Sequence, residues 1–226
     1  MLNNINDIEF VKQNLPFWRK LKEEERKLIV ENSVNSSYQK GHIIYSNHDD
    51  CKGLVIIKSG NLRTYMLSDV GKEITLYRLF ENDSCIMTAA CLLKNITFDI
   101  IIEVERDCEL ILIPVQTYSS LSSSNILIQD FTNQLVSSRF SDVMWIMEQI
   151  VFMSLDKRLA IFLLEQSAIE NSNVLTITHD TIAKNLGSAR EVVTRMLKYF
   201  QNSGLVNVSR GNIEIKDIKK LMEFTK

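Results

Sequence analysis

The sequence predicts an α+β protein: an antiparallel β-roll, then one long helix, then a small C-terminal module of helices and a hairpin. Three observations carry this expectation. Between Tyr38 and Val115 short β-rich runs recur, punctuated by Gly41, Gly53, Gly60 and Gly71, the texture of an antiparallel barrel or roll rather than of alternating strands and helices. From Asn125 to Met153 there is neither Gly nor Pro, and Val136, Phe140, Val143, Met147 and Ile150 repeat in steps of four and three, which is a heptad seam. Beyond Thr178 two short helical patterns meet at Gly187 and are followed by two short strands.

Composition bounds the class. The chain has 226 residues, 45% hydrophobic and 24% charged, with seven Gly and two Pro; this is ordinary for a soluble globular protein and excludes fibrous or low-complexity types. No run approaches the roughly 18 apolar residues of a membrane span, and the start, MLNNINDIEF, lacks the parts of a signal peptide. The four cysteines, 51, 85, 91 and 108, have no metal-type CxxC spacing, so the expectation is reduced thiols in a cytoplasm, without membrane contact. Net charge is −2, yet from Thr178 to Lys226 nine Lys or Arg face five Asp or Glu, leaving this end +4 and the rest −6. A basic module on an acidic body presents one end to a polyanion.

Taken in order, residues 8–34 read as polar helix, with KLKEEERK a solvated face. The runs HIIY, GLVIIKSG, LRTYML, EITLYRLF, FDIIIEVE and CELILIPV read as separate short strands with glycine turns. The seam that follows suits either a helix packed on its own domain or, the sharper reading, one that joins two domains and pairs with its symmetry mate. MSLDKRLAIFLLEQ starts a further helix, capped by Ser154, with Leu155, Leu159, Phe162 and Leu163 along one face. The expected divisions are a sensor domain over 1–120, a dimerisation helix and linker over 121–153, and a third domain over 154–226.

In that last part Thr178 can cap a short helix with Asp180 in its first turn, and Gly187 ends it. Ser188 then caps the next helix, with Glu191 completing an S-x-x-E capping box. So short a turn forces a steep crossing, the geometry of a helix-turn-helix. At about 100° per residue, Ala189, Val193, Met196, Leu197 and Phe200 share one sector while Arg190, Glu191, Thr194, Arg195 and Lys198 lie opposite. Such a face suits the major groove: an arginine fork matches guanine, a carboxylate accepts from cytosine N4, and Thr194 meets a thymine methyl or a phosphate. It also suits plain solvent, with Glu191 capping and pairing with Arg195. The two strands GLVNVS and NIEIK around Arg210-Gly211 tilt the balance, since a hairpin wing brings Arg210 to a phosphate. A closing helix packs back through Ile218, Leu221 and Met222.

The run RLAIFLL, with TITHDTIAKNLGSAREVVTRMLKYFQNSGLVNVSRGNIEIKDIKKL, resembles the winged helix-turn-helix of the Crp-Fnr superfamily of bacterial transcription regulators. YQKGHIIY, GLVIIKSGNLRTYML and GKEITLYRL resemble the cyclic-nucleotide-binding-like antiparallel β-roll of the same proteins, a double-stranded β-helix of jelly-roll type. The resemblance covers nearly the whole chain, dimerisation helix included. It implies that Arg190, Glu191 and Arg195 occupy base-reading positions, that Glu191, Thr194 and Arg195 follow the E-x-x-S-R pattern of the oxygen-sensing branch with Thr for Ser, and that the target is a palindrome with TGA half-sites. Ser188, Thr178, Lys198 and Arg210 complete the expected DNA-binding set. It further implies a homodimer on double-stranded DNA, touching RNA polymerase if it activates.

The sensor end departs from the resemblance. Cyclic-AMP-binding members carry a Gly-Glu and, some ten residues on, an Arg-Ser or Arg-Thr; here NDSCIMTAACLLKNITFDI, residues 82–100, holds no Glu and no Arg, and only Lys94 as a cation. A buried phosphate without a cationic partner is costly, so cyclic AMP is not the expected ligand. An iron-sulfur cluster lacks its N-terminal cysteines, and haem lacks a placed ligand beyond His42 and His48. No cofactor is identified. Cys85, Ile86, Met87, Thr88 and Ala89 are a candidate lining for an unidentified small molecule; Cys85 and Cys91 are a candidate redox pair only if a loop separates them, since helix or strand would hold them too far apart. Two other classes stand beside the regulator: a ligand- or redox-sensing regulator that works through protein partners, and a cupin-like metal enzyme. For the second, His48-Asp49-Asp50-Cys51 is the nearest approach to a ligand cluster. The expectation is that the chain is not an enzyme.

Overall fold

The computed structural model describes residues 1–2, 4–46, 52–87 and 100–225, with the backbone alone for Met87. Two compact units emerge, one of residues 1–66 and 76–143, the other of residues 67–75 and 144–226.

The first unit opens with α1 (Ile5–Asn14) and α2 (Glu23–Asn32), joined by a 3₁₀ turn at Trp18–Lys20. Strands β1 (Val34–Tyr38), β2 (Ile43–Tyr45), β3 (Gly53–Leu67), β4 (Glu73–Leu79), β5 (Ser84–Met87) and β6 (Ile101–Pro114) form an antiparallel sheet, ordered β1-β6-β3-β4 with β2 on β6 and β5 on β3. This is the expected roll, with one correction. GLVIIKSG and LRTYML are a single strand, and so are most of FDIIIEVE and CELILIPV. Gly60 is not a turn: it sits inside β3 at φ +77°, where the β3–β6 register shifts between Ile57 and Leu62. A bulge bends a strand without ending it, and a Cβ at Gly60 would collide with the Asp107 carbonyl.

The long strands are apolar over several consecutive residues because both faces are covered. Leu54, Ile56, Ile111 and Ile113 pack with Val11, Leu15, Phe17, Trp18, Ile29 and Tyr118 of the helices, whereas the alternating Val55, Ile57 and Leu110 join Leu62, Leu79, Cys85, Ile102 and Val104 inside the roll. Period-two alternation thus assigns neighbouring side chains to different cores. An ion cluster ties the N-terminal helix to the sheet: Lys58 Nζ donates to Asp7 Oδ1 at 2.7 Å and to Glu109 Oε1. Burial opposes charge on Asp7, but the Lys58 and Asn35 hydrogen bonds outweigh it and hold the carboxyl below its ordinary range; the Lys58 hydrogen bond lowers Glu109 likewise.

After α3 (Val115–Ser124) comes α4 (Ile126–Phe152), the long helix that the Gly- and Pro-free stretch predicts. Phe140 (65%), Met147 and Ile150 of its seam are exposed, with Val136 and Val143 half-buried. Met144, Trp145, Val151 and Phe152 (81%) extend the apolar exposure beyond the seam.

The second unit holds α5 (Leu155–Glu170), β7 (Val174–Leu175), α6 (His179–Leu186), α7 (Arg190–Asn202), β8 (Val206–Ser209), β9 (Asn212–Ile215) and α8 (Ile218–Glu223). Ser154 stands at the N-cap of α5 but its side chain caps nothing. The core joins Leu159, Phe162 and Leu163 of α5 to Ile182, Leu186, Val193, Leu197, Phe200, Ile213 and Leu221. Two details differ from expectation. Strand β7, invisible as a two-residue run, adds a third strand to the wing through β9. Met222 is half exposed, and Phe224 instead packs edge-on against Phe200 at 5.4 Å.

Phe200→Ala should therefore cost about 3–5 kcal/mol, read from urea unfolding. Acid should act on the other unit. Asp7 and Glu109 have depressed folded pKa values, so their contribution is present above the unfolded carboxylate range and is lost as pH falls through the folded values. Replacing Lys58 by Met should flatten that pH dependence below about pH 4.5 and lower stability at pH 7, in denaturant titrations at stepped pH.

Candidate nucleic-acid interface

The helix-turn-helix is built from local rules. Thr178 caps α6, its Oγ1 accepting from Thr181 N at 3.1 Å, as expected. Asp180 sits in the first turn, where a carboxylate suits the helix dipole. Gly187 ends the helix in the left-handed region, φ 62° and ψ 36°, and Ser188 N donates to Ala183 O. From α5, the Arg158 guanidinium donates to the Leu186 carbonyl, a cation on the free carbonyl end of α6.

The start of α7 corrects the sequence reading. Ala189, exposed, is the N-cap rather than part of the buried stripe; Ser188 makes no capping hydrogen bond, and the S-x-x-E box does not form. With the helix beginning one residue later, Glu191 lies at the second helical position, out of register for reciprocal capping. Val193, Leu197 and Phe200 are buried and Met196 partly so. The opposite face, Arg190, Glu191, Thr194, Arg195 and Lys198, is exposed. Among the described residues no ion pair joins Glu191 to Arg195, and no salt bridge engages Arg190 or Lys198. The carboxylate that capping and base contact were expected to contest is free of the cap.

Beside this face the wing turns at Arg210-Gly211, with Gly211 at φ +79°. An open cleft of about 480 Å³ lies between wing and helices, lined by Thr178, His179, Asp180, Arg190, Ser209 and Arg210 among others. His179 is a residue the sequence reading passed over between Thr178 and Asp180. Its Nδ1 lies 2.9 Å from Thr194 Oγ1, which itself donates to the Arg190 carbonyl at 2.8 Å. Partial burial, then the Arg190 charge, hold the imidazole below its ordinary pKa.

Of the candidate effector lining, Cys85 and Ile86 have described side chains. Cys85 points into the roll and Ile86 into the cluster beneath the helices; Met87 has only its backbone described, and Thr88, Ala89, Cys91 and Lys94 lie outside the described residues, as do His48 and Cys51. His42 stacks on Tyr38 at 4.9 Å. Burial pushes the Cys85 thiol up to about 11. The cation near Cys85 comes from α4: Arg139 lies 5.0 Å over the Tyr77 ring and donates to Asp142 at 2.8 Å. Residues 54 positions apart in sequence carry no local signal of that meeting. Among the described residues no cluster of His, Cys, Asp and Glu is arranged to hold a metal, and no helix is long and apolar enough to cross a membrane.

A winged helix-turn-helix with Arg190, Arg195 and Lys198 exposed on its outer face, in a chain that also holds a cyclic-nucleotide-binding-like roll, defines a DNA-binding transcription regulator with a ligand-binding-type domain. Residues 35–125 match the model of the cyclic nucleotide-binding domain, and residues 157–224 that of the Crp-like helix-turn-helix domain. A crystal structure of a Crp/Fnr-family transcriptional regulator from Eubacterium rectale is 49% identical, covers 94% of this chain and 99% of that one, and superposes with a TM-score of 0.90. The regulatory protein HlyX of Actinobacillus pleuropneumoniae is 29% identical over 193 residues, 81% of this chain and 78% of that protein. An anaerobic regulatory protein of Haemophilus influenzae is 26% identical over 195 residues, 83% and 74% of the two chains. The chain belongs to the Crp-Fnr family, whose members are transcription regulators and not enzymes.

A thiol held near 11 is protonated at neutral pH and slow to attack. Iodoacetamide at pH 8 should therefore leave Cys85 unmodified in the folded protein and alkylate it in urea, as peptide mass mapping would show.

Proposed function

We propose that the protein is a homodimer that reads a palindromic DNA site through paired α7 helices, under a signal received by the β-roll. The observation that carries this reading is the outward face of α7: Arg190, Glu191, Arg195 and Lys198 lie exposed, outside any salt bridge among the described residues, and Arg190 lines one cleft with the wing residue Arg210. Arg190 and Arg195 are assigned to guanines, Glu191 to a cytosine amine, and Lys198, Arg210, Ser188 and Thr178 to the phosphate backbone. The half-sites are of TGA type, by the family resemblance.

Dimerisation is assigned to α4, where Val136, Phe140, Val143, Met147 and Ile150 leave an apolar seam partly in solvent. Two-fold pairing would space the α7 helices one DNA turn apart, about 34 Å. The signal is assigned to the roll and is not cyclic AMP, because residues 82–100 hold neither the Glu that meets a ribose in cyclic-AMP-binding members nor the Arg that meets its phosphate. The setting is cytoplasmic, and contact with RNA polymerase accompanies activation.

Site selection from random duplex DNA should return one palindrome. Arg190→Ala and Arg195→Ala should each weaken its binding by about 1–3 kcal/mol and relax preference at one base pair, while Lys198→Ala should weaken all sequences alike and reduce the salt slope by about one. Recovery of no enriched sequence would end the proposal.

A further inference from the structure

The cleft between α6, α7 and the wing contains a hydrogen-bond chain with a definite direction. Thr194 has one hydroxyl proton, and it goes to the Arg190 carbonyl at 2.8 Å. The 2.9 Å contact to His179 must then be donated by the imidazole, Nδ1–H to Thr194 Oγ1. Two consequences follow from counting donors. Thr194 cannot donate to DNA, so the group it has left for a base is its methyl. His179 in its neutral form carries its only proton on Nδ1, leaving Nε2 a bare acceptor at a cleft lined also by Arg190 and Arg210.

A bare acceptor is the wrong group to meet a phosphate, whereas an imidazolium is a charged donor. The charged groups around His179 set the balance. Partial burial and then the charge of Arg190 on α7 disfavour the imidazolium, while Arg210 of the wing and Asp180, next along α6, line the same cleft. A phosphate entering between these groups reverses the sign of the local field. Resting on the reading of α7 as the base-reading helix, we propose that His179 is a proton-coupled positioning residue: its Nδ1–H fixes Thr194 so that a methyl faces a thymine, and its Nε2 takes up a proton as a DNA phosphate docks.

The coupling has a sign. If the complex holds one more proton per protomer than the free protein, affinity rises as pH falls between the bound and free pKa values of His179. Because the free value lies below the ordinary one of about 6.5, the lower edge of that window lies below it, and the upper edge is the value in the DNA complex.

The test uses the full-length protein and its selected palindrome, with fluorescence anisotropy at constant ionic strength from pH 8.5 to pH 5.5. Wild type should bind about tenfold tighter at pH 6 than at pH 8. His179→Asn, whose amide nitrogen can stand in for Nδ1–H but does not titrate, should hold its affinity within about twofold across the range while keeping the sequence preference. His179→Ala should lose the pH dependence and also the penalty for replacing the contacted thymine by uracil, which removes only the methyl; Thr194→Ser should lose that penalty alone. The histidine NMR signal that disappears in His179→Asn should titrate at higher pH in the DNA complex than in the free protein. An unaltered pH slope in His179→Asn, or an NMR titration that DNA does not move, would overturn the proposal with α7 still reading DNA. Failure of wild type to select any sequence would instead overturn the reading on which it rests.

Discussion

The reversal at Gly187 is the constraint on which the DNA-facing geometry depends. Between the last residue of α6 and the first of α7 there are three residues, and the chain changes direction there through one left-handed position. An L residue with a side chain at φ 62° pays about 1 kcal/mol or more. Everything on the outer face follows from the crossing this turn permits: Val193, Leu197 and Phe200 enter the core shared with α5 and the wing, so Arg190, Glu191, Thr194 and Arg195 must face out. The contact between His179 and Thr194, 15 residues apart, exists because the helices cross at this point.

The two units solve their burial problems differently. In the C-terminal unit each helix has one apolar stripe and the core lies between the stripes, so a polar outer face comes without cost. In the roll, β3 and β6 bury both faces, one under the helices and one inside the roll. That leaves few places for a polar group, and charges set into the sheet form ion pairs, among them Lys58 with Asp7 and Glu109, and Arg78 with Glu105. Breaking either cluster strands a charge, which is costlier than the pair is stabilising.

The same burial explains why Cys85 is a weak candidate for redox chemistry. A thiol without access to water keeps its proton, and the nearby Arg139 charge does not offset desolvation. Arg139, Tyr77 and Cys85 nevertheless place a guanidinium from α4 against the inner wall of the roll, whereas the segment 82–100 holds no arginine.

What the sequence by itself determined was local and periodic. The Thr178 cap, the Gly187 stop, the Arg210-Gly211 turn and the uninterrupted helix over 126–152 each rest on a few adjacent residues whose chemistry admits one backbone solution. The polar face of α7 was legible for the same reason, since helical periodicity separates its two sides. The tertiary structure decided what adjacent residues leave open. Gly60 could have made a turn or a bulge, and only pairing with β6 selects the bulge. Ser188 and Ala189 could each have begun α7, and the crossing chose Ala189 because packing sets where the first buried residue falls. The partner of Thr194 depends on two helix faces meeting, and a side chain's hydrogen-bond partner across a crossing is a property of the fold, with no counterpart in sequence spacing.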